Sequence, residues 1–517
     1  MTQASPLQAT NLWALLEQRV KQTPSAQFLI DAETQQTLSF KTFYQRTLQL
    51  AAVLSDKGVG YQTTVAWQLP TSIDSIVLMY ALSRLGAIQA PIIHLYRDRE
   101  VTEVLLQSQP SLFIVVDDEG SSYSRYNSAE AIIANLEGTK PNLLDFTHLL
   151  AEPSSETHLA DYQEAIGEER WHYYTSGTTA RPKGTRHTDQ SVMAGGFFLA
   201  DALEATDHDV GSVGYPIAHI GGVVYTAMCL RIGIPIVLLA HYTAELVVSS
   251  FRRYGVTLGG GSTAHYQLLL DEQRKQPGEP LIPSLRLLSG GGAAKPAALF
   301  DQVKNELGVK IVHAYGMTEA PITSSNSTYN SDEQLTNSDG KPMPELTIKI
   351  INAEGQPVAQ GEAGEILLRG PNLCQGYLLA EQTEAAFDAE GFYHTGDIGL
   401  IRDDGHIAIT GRLKEIIIRK GENISAREIE ELLNSHDLIK DTAVIGLPDE
   451  DRGELVCAVV ELNDPATEFT MAQMQAFLLD KKLMKQKIPE RLEVLAELPR
   501  NKSLQKVQKN LLVEQFS

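Results

Sequence analysis

The 517-residue sequence holds only three cysteines, Cys229, Cys374 and Cys457, far apart and without a Cys-x-x-Cys pair. That scarcity argues against a zinc cage and a disulfide framework, and it fits a reducing cytosol. Long apolar runs are missing as well: the most hydrophobic stretch, 221–240, is broken by Arg231. The N-terminal MTQASPLQATNLW has no basic-then-apolar leader pattern, so neither an integral membrane segment nor a signal peptide is expected. The expectation is a cytoplasmic protein, with peripheral membrane contact left open. Positive charge is also short: 65 acidic residues against 43 basic ones leave a net charge of -22. Such a surface repels nucleic acid. A polyanionic ligand therefore needs a local basic patch, and 481–509 supplies one, with Lys481, Lys482, Lys485, Lys487, Arg491, Arg500, Lys502, Lys506 and Lys509, unless that segment is a solvated face.

What is present is the makeup of an ordinary globular protein, 43% hydrophobic and 21% charged, long enough for about three domain-sized units. From Thr64 onward, short β-branched runs alternate with helical patterns: VAWQLP, SIDSIVLMYALSRLG, IQAPII. The alternation resumes at 234–240 and continues through VTLGGG (256–261), LRLLSGGG and IVHAYG. This is βαβ grammar, and it predicts an α/β fold with a large N-terminal domain of doubly wound sheets. A helix is expected from Pro296, with Leu299, Phe300, Val303 and Leu307 on one face and Gly308 closing it. After Gly340 short strands with glycine and proline turns replace this texture, including a hairpin at Asp404-Gly405, so 340–412 reads as a small β unit closing domain 1–412. Residues 413–517 read as a smaller α+β domain whose two helices open on the capping-box strings SARE (Ser425, Glu428) and TMAQ (Thr470, Gln473).

The most informative string is YYTSGTTARPKG at 173–184. Clustered hydroxyls, two glycines and a lysine make a loop whose backbone N–H groups, hydroxyls and ammonium can surround phosphate oxygens. It is not a Walker A loop, which has glycine directly before its lysine where this chain has Pro182. In order along the chain follow YPIAHIGG, SGGGAAKP, AYGMTE, GEAGEILLRGPNLCQGY, YHTGDIG, GRLKEIIIRKGENISAREIE and a lysine-rich C-terminal segment.

With these motifs over nearly its whole length, the chain resembles the adenylate-forming superfamily of acyl-CoA synthetases, carrier-loading adenylation domains and luciferases. The resemblance implies ATP, Mg²⁺ and coenzyme A as cofactors, and a small carboxylic acid as substrate. It places Thr175, Ser176, Gly177, Thr178, Thr179 and Lys183 around the β- and γ-phosphates, Thr318 at the α-phosphate, and Glu319 with Thr179 at the magnesium ion. Gly291, Gly292, Ala293, Tyr315 and Gly316 would enclose adenine, while Asp397 would accept the ribose hydroxyls with Arg412 as its partner. His219 would gate the passage between acyl and thiol tunnels, unless it is simply structural. The acyl wall would lie near Gly259, Gly260 and Gly261, where three glycines either leave room for a bulky acid or form a flexible turn. Lys414 would be the hinge about which the C-terminal domain turns. One orientation brings in a catalytic lysine; the other brings Arg419, Lys420, Gly421 and Glu422 beside the thiol tunnel.

The chain departs from the family's terminal PxTxxGK pattern, reading PRNKSLQKVQK from Pro499. The lysine followed by Val-Gln-Lys is Lys506, one residue late and preceded by Gln505 in place of glycine; Lys502 is the lesser candidate. Ala180 likewise stands where the phosphate loop has glycine. The reading is an ATP-dependent acid:CoA ligase, and APIIHLYRDREV at 90–101 resembles ligases for medium-chain, alicyclic or steroid-derived acids. A protein that loads a carrier protein, or an altered nucleotide- or acyl-binding relative, stays open, as does a homodimer.

Overall fold

The β-branched run Thr64–Gln68 and the strand Ile88–Pro91 pair in parallel across the intervening helix Ile73–Arg84, which opens on a Ser72–Ser75 capping box. Repetition of that unit builds the first sheet. In the computed structural model, which describes residues 7–117, 123–152, 159–162, 166–175, 182–292, 296–419, 422–449, 453–501 and 505–517, this sheet has six strands. Their spatial order is 142–145, 112–115, 64–68, 88–91, 169–175 and 183–188, with the last pair antiparallel. A second sheet of nine strands has a parallel centre, from Lys310–Tyr315 through Leu287–Gly291, Leu258–Gly261, Gly211–Val213 and Ile236–Leu238 to Gln27–Asp31.

Both sheets contribute to one core. Trp67 and Trp171 of the first and Leu258, Leu287 and Val312 of the second belong to the same buried cluster, together with the helices Asp189–Ala202 and Ile220–Ile232. The latter helix is buried on nearly every side, as its largely apolar sequence requires. Arg231 sits near its end because its guanidinium donates to the Phe197 carbonyl and to Asp201 Oδ1. Among the described residues, no helix is long and apolar enough to cross a membrane.

Beyond residue 340 the strands Thr347–Ile351, Gly364–Arg369, Tyr393–Ile401 and Ile407–Arg412 form an antiparallel sheet. The expected hairpin is there: Gly405 takes φ +80°, and its N–H donates to the Arg402 carbonyl at 2.9 Å. A five-stranded C-terminal sheet has its own core around Ile424, Ile429, Val444, Val456 and Leu478.

Two local expectations fail. The helix from Ala297 is α-helical only to Gln302, and Val303–Leu307 is π-helical, with Pro296 as the cap residue rather than inside the first turn. The wider turn still keeps Leu299, Phe300, Val303 and Leu307 buried, and Gly308 closes it at φ +74°. At Ser425 no capping box forms. Its hydroxyl donates to the Thr410 carbonyl at 2.8 Å, and Glu428 accepts from Lys487 at 2.6 Å. The Thr470–Gln473 box forms as expected.

Candidate active site

Two neighbouring parallel strands, Leu287–Gly291 and Lys310–Tyr315, deliver their carboxyl ends to one cleft, with Gly291 opposite Ala314. Glycine is required there. A Cβ on Gly291 would lie 2.2 Å from the Ala314 carbonyl oxygen, and one on Gly316 would lie 2.5 Å from the Ile322 nitrogen. Ala293 is outside the described residues.

Across the cleft, Asp397 and Arg412 stand opposite each other on adjacent antiparallel strands. Asp397 is almost fully buried. Its Oδ1 accepts from Arg412 Nε at 2.7 Å, and its Oδ2 accepts from the Tyr315 hydroxyl at 2.7 Å. A carboxylate offers about four lone-pair positions, so two remain for a vicinal diol. Tyr315, expected beside adenine, has its hydroxyl on this carboxylate and fixes it. Burial and then the Asp397 charge raise its pKa, so it stays a donor.

Thr318 and Glu319 occupy a tight turn closed by reciprocal bonds between Met317 and Ala320 at 3.2 Å. Buried His187 holds that turn, with Nε2 2.8 Å from the Thr318 carbonyl and Nδ1 2.8 Å from Ser191 Oγ. The carbonyl can only accept, which fixes the Nε2–H tautomer, and burial lowers the ring pKa to about 4. Glu319 Oε1 accepts from the Tyr377 hydroxyl at 2.7 Å, and Tyr377 meets the Tyr393 hydroxyl at 3.3 Å. Lys183 Nζ lies 5.2 Å from the centre of the Tyr377 ring, so Tyr377 joins the lysine of the phosphate loop to the carboxylate expected at the metal. Tyr377, Tyr393 and His187 were not singled out from sequence. Tyr377 and Tyr393 stand inside motif strings already quoted, but nothing local marked their hydroxyls.

Thr175 and Lys183 pair across the antiparallel strands that flank the phosphate loop. Ser176, Gly177, Thr178, Thr179 and Ala180 lie outside the described residues. The metal expected at Glu319 fits what is described: magnesium typically takes one or two protein carboxylates plus substrate phosphates, and Glu319 presents a second oxygen beyond the one bound by Tyr377.

Lys506 reaches this cleft from the C-terminal unit. Its Nζ and Cε come within 3.9 Å of where a Cβ on Gly292 would stand. Burial and then repulsion from Arg412 lower its pKa to about 8, against the pull of Asp397 and Glu415. The Asn501 N–H donates to the Lys506 carbonyl at 2.9 Å, and the Lys506 N–H donates to Asn501 Oδ1 at 3.2 Å. Gln505 adopts φ +57°, the left-handed conformation in which the resemblance expects glycine, and Arg500 donates to its carbonyl at 3.2 Å. Arg500 is itself paired with Asp441. Lys502 is outside the described residues.

The basic segment is not one open patch. Lys487 pairs with Glu428, Arg491 with Glu493, and Lys509 bridges Glu415 and Glu430 at 2.7 and 2.8 Å. Exposed Lys414 stands beside Glu415 in the short Leu413–Glu415 turn. Arg419 pairs with Glu490; Lys420 and Gly421 lie outside the described residues.

His219 caps the Ile220–Ile232 helix: its Nδ1 accepts from the Gly221 N–H at 3.1 Å. Burial and then Lys506 lower its pKa to about 4, so it is neutral near pH 7. The three glycines near the expected acyl wall are neither a flexible turn nor an opening. They form the buried strand Leu258–Gly261, and added Cβ atoms would meet Leu288 at 2.7 Å, the Ser212 carbonyl at 2.4 Å and His265 at 2.8 Å. Neighbours occupy the space that side chains would fill. The three cysteines are buried free thiols, and burial pushes Cys374 and Cys457 up to about 12.

Comparison with known proteins gives the family. The AMP-binding enzyme family matches residues 16–378, and the AMP-binding enzyme C-terminal domain matches 428–504. The medium-chain fatty-acid–CoA ligase of Escherichia coli (strain K12) is 30% identical over 485 residues, covering 90% of this chain and 83% of the relative. ATP-bound MatB from Rhodopseudomonas palustris superposes with a TM-score of 0.89 at 27% identity, over 98% of this chain and 99% of that one. O-succinylbenzoate coenzyme A synthetase from Bacillus subtilis, in complex with ATP and magnesium, gives a TM-score of 0.84 at 27% identity, over 96% and 98%. By these matches and by its site, the chain belongs to the AMP-binding enzyme family, of the acyl-CoA ligase type.

Proposed function

We propose that this chain joins a carboxylic acid to AMP and then to coenzyme A, with the residues gathered above in defined roles. The observation that carries the assignment is the arrival of Lys506 beside Gly292, in the cleft where Asp397, Arg412 and Tyr315 are already locked together. In the first half-reaction a carboxylate oxygen of the acid attacks the α-phosphorus of ATP, the bond to the bridging oxygen breaks, and pyrophosphate leaves. The acid is already ionised at neutral pH, so no protein nucleophile is required. Catalysis is positioning and charge neutralisation. Asp397 holds the ribose diol, Thr318 lies at the α-phosphate, and Lys506 faces the charge that builds between carboxylate and phosphate. Lys183, with Ser176, Thr178 and Thr179, grips the leaving phosphates. Bound at Glu319 and Thr179, Mg²⁺ would offset the phosphates' negative charge.

In the second half-reaction the coenzyme A sulfur attacks the acyl carbon, the bond to AMP breaks, and the thiol proton passes to solvent. We assign the catalytic division to 1–412 and 413–517, with Lys414 as hinge and the segment around Arg419, Lys420 and Gly421 serving this step. We assign His219, neutral and within reach of the Lys506 charge, to the passage between the two tunnels. A cytoplasmic location keeps the buried thiols reduced, and we carry a homodimer as the assembly to be tested by mass measurement.

Carboxylate-dependent ATP–pyrophosphate exchange over a broad acid panel tests the first half, and its complete absence would refute the enzyme reading. CoA-dependent AMP release tests the second. Exchange without that release would instead make the chain a loader of carrier proteins.

A further inference from the structure

Lys506 is carried by a loop whose two arms are pinned by different partners. At the base of the loop the Gln508 N–H donates to the Pro499 carbonyl at 2.8 Å, and Arg500 and Val507 pair antiparallel across it. The two bonds between Asn501 and Lys506 hold the next rung. On the outgoing arm Arg500 pairs with Asp441, and the Leu498 N–H donates to Glu461 Oε2 at 3.0 Å. On the return arm, shortly after Lys506, the anchor is Lys509. It opens the helix Lys509–Phe516, and its Nζ meets Glu415 Oε2 at 2.7 Å and Glu430 Oε1 at 2.8 Å. Glu430 Oε1 also accepts from the Val444 N–H at 2.7 Å, which fixes that carboxylate against the sheet.

These anchors differ in what they reach. Asp441 and Glu461 stand on the strands Ile439–Asp449 and Gly453–Leu462, and Glu430 on the helix Ala426–Leu433, so they hold the loop within its own unit. Glu415 is placed differently. It ends the Leu413–Glu415 turn, directly after the proposed hinge residue and just past Arg412, whose Nε is bonded to Asp397 at 2.7 Å. Through Lys509 the loop is thus joined to a residue 94 positions earlier, at the point where the C-terminal unit leaves the body.

We infer that Lys509 is a positioning residue for acyl-AMP formation: its bonds to Glu415 and Glu430 index the loop to the hinge turn and so set where Lys506 enters the phosphate cleft. This role rests on the ligase reading above and deepens it, since Lys509 works through Lys506. Burial opposes the charge of Lys509, but Glu430 and then Glu415 outweigh it and raise its pKa, so the link stays intact where Lys506 titrates. A catalytic group displaced by about 1 Å can lose up to about 10²-fold in rate. ATP affinity, drawn also from Asp397 and the phosphate loop, is spared.

Two sets of substitutions cut the link from opposite ends. Glu415→Ala removes the acceptor at the hinge turn and leaves the Lys509–Glu430 pair to support the fold. Lys509→Met with Glu430→Gln removes the cation together with the buried carboxylate it would otherwise leave unpaired. In each, kcat for acyl-AMP formation should fall by roughly 10-fold with KM for ATP held within about 2-fold, while thioester formation from supplied acyl-AMP keeps its rate. In the Lys509→Met and Glu430→Gln protein the alkaline midpoint of adenylation should also climb from about 8, as Lys506 regains water and Glu415 loses its partner; lost fold support alone would not move it. Combining all three substitutions should cost no more than either set, because both break one link. Losses that multiply overturn the inference, as does adenylation at the full rate in both variants. Equal slowing of the two half-reactions overturns it too, since Lys509 would then only support the fold. A wild-type chain silent with every acid, in both pyrophosphate exchange and AMP release, takes down the ligase reading and this role with it.

Discussion

The side chain proposed to decide the chemistry is Lys506, and its surroundings fix how it should behave. Replacing it with alanine removes the cation from the phosphate cleft. Acyl-AMP formation should fall by about 10²-fold or more, while thioester formation from supplied acyl-AMP continues; single-turnover assays of the two halves check this. The pH dependence follows from its depressed pKa. The useful form is protonated, present below about 8 and lost as pH rises through that value. The alkaline limb of kcat/KM for ATP should therefore have its midpoint near 8, and in Lys506→Arg that limb should disappear from the accessible range. Tyr377 acts through Glu319. Tyr377→Phe removes the hydroxyl that orients the carboxylate, so the Mg²⁺ concentration giving half-maximal adenylation should rise by about 10-fold, with the thioester step unchanged.

Elements were legible from sequence wherever burial and local chemistry agree. The βαβ runs, the Asp404-Gly405 hairpin and the Thr470 box form as their residues dictate. They were misread where a distant partner wins. Ser425 and Glu428 have capping-box spacing, yet the Thr410 carbonyl and Lys487 outcompete the local bonds. Strand Leu258–Gly261 was ambiguous because glycine carries no hydrophobic alternation; only the approach of Ser212, Leu288 and His265 shows why nothing larger fits. Likewise His219 gave no sign of being a helix cap, since histidine is not among the residues that usually announce one. The Ser425 bond has a consequence of its own, because it ties the start of the Ala426–Leu433 helix to the strand ending at Arg412, across the proposed hinge. Ser425→Ala should weaken the arrangement that holds Lys506 in the cleft and lower adenylation by about 3- to 5-fold, as expected from one neutral hydrogen bond, without slowing the thioester step. Equal slowing of both halves would mean that the bond merely supports the fold.

At the scale of the whole molecule, the net charge is strongly acidic, while the site sets cations against its carboxylates. With a net charge of -22, ATP binding depends on local cations, and among the described residues Lys183 stands by Tyr377, Arg412 by Asp397 and Lys506 by Gly292. Two of those cations belong to the body that ends at Arg412, and the third arrives from beyond the Leu413–Glu415 turn. We propose that the charge that receives ATP is completed by this orientation of the C-terminal unit, since withdrawing that unit would remove Lys506 from the cleft. Lys414 stands exposed in that turn, so a change there should act on the motion rather than on packing. Lys414→Pro fixes one backbone dihedral at the proposed hinge. Since the arrangement described already places Lys506 beside Gly292, acyl-AMP formation should persist within about 3-fold, while CoA-dependent release of AMP falls by about 10²-fold. Single-turnover measurement of each half separates the two. A parallel loss of both would show that Lys414 supports the fold and that the turn is not where the unit pivots.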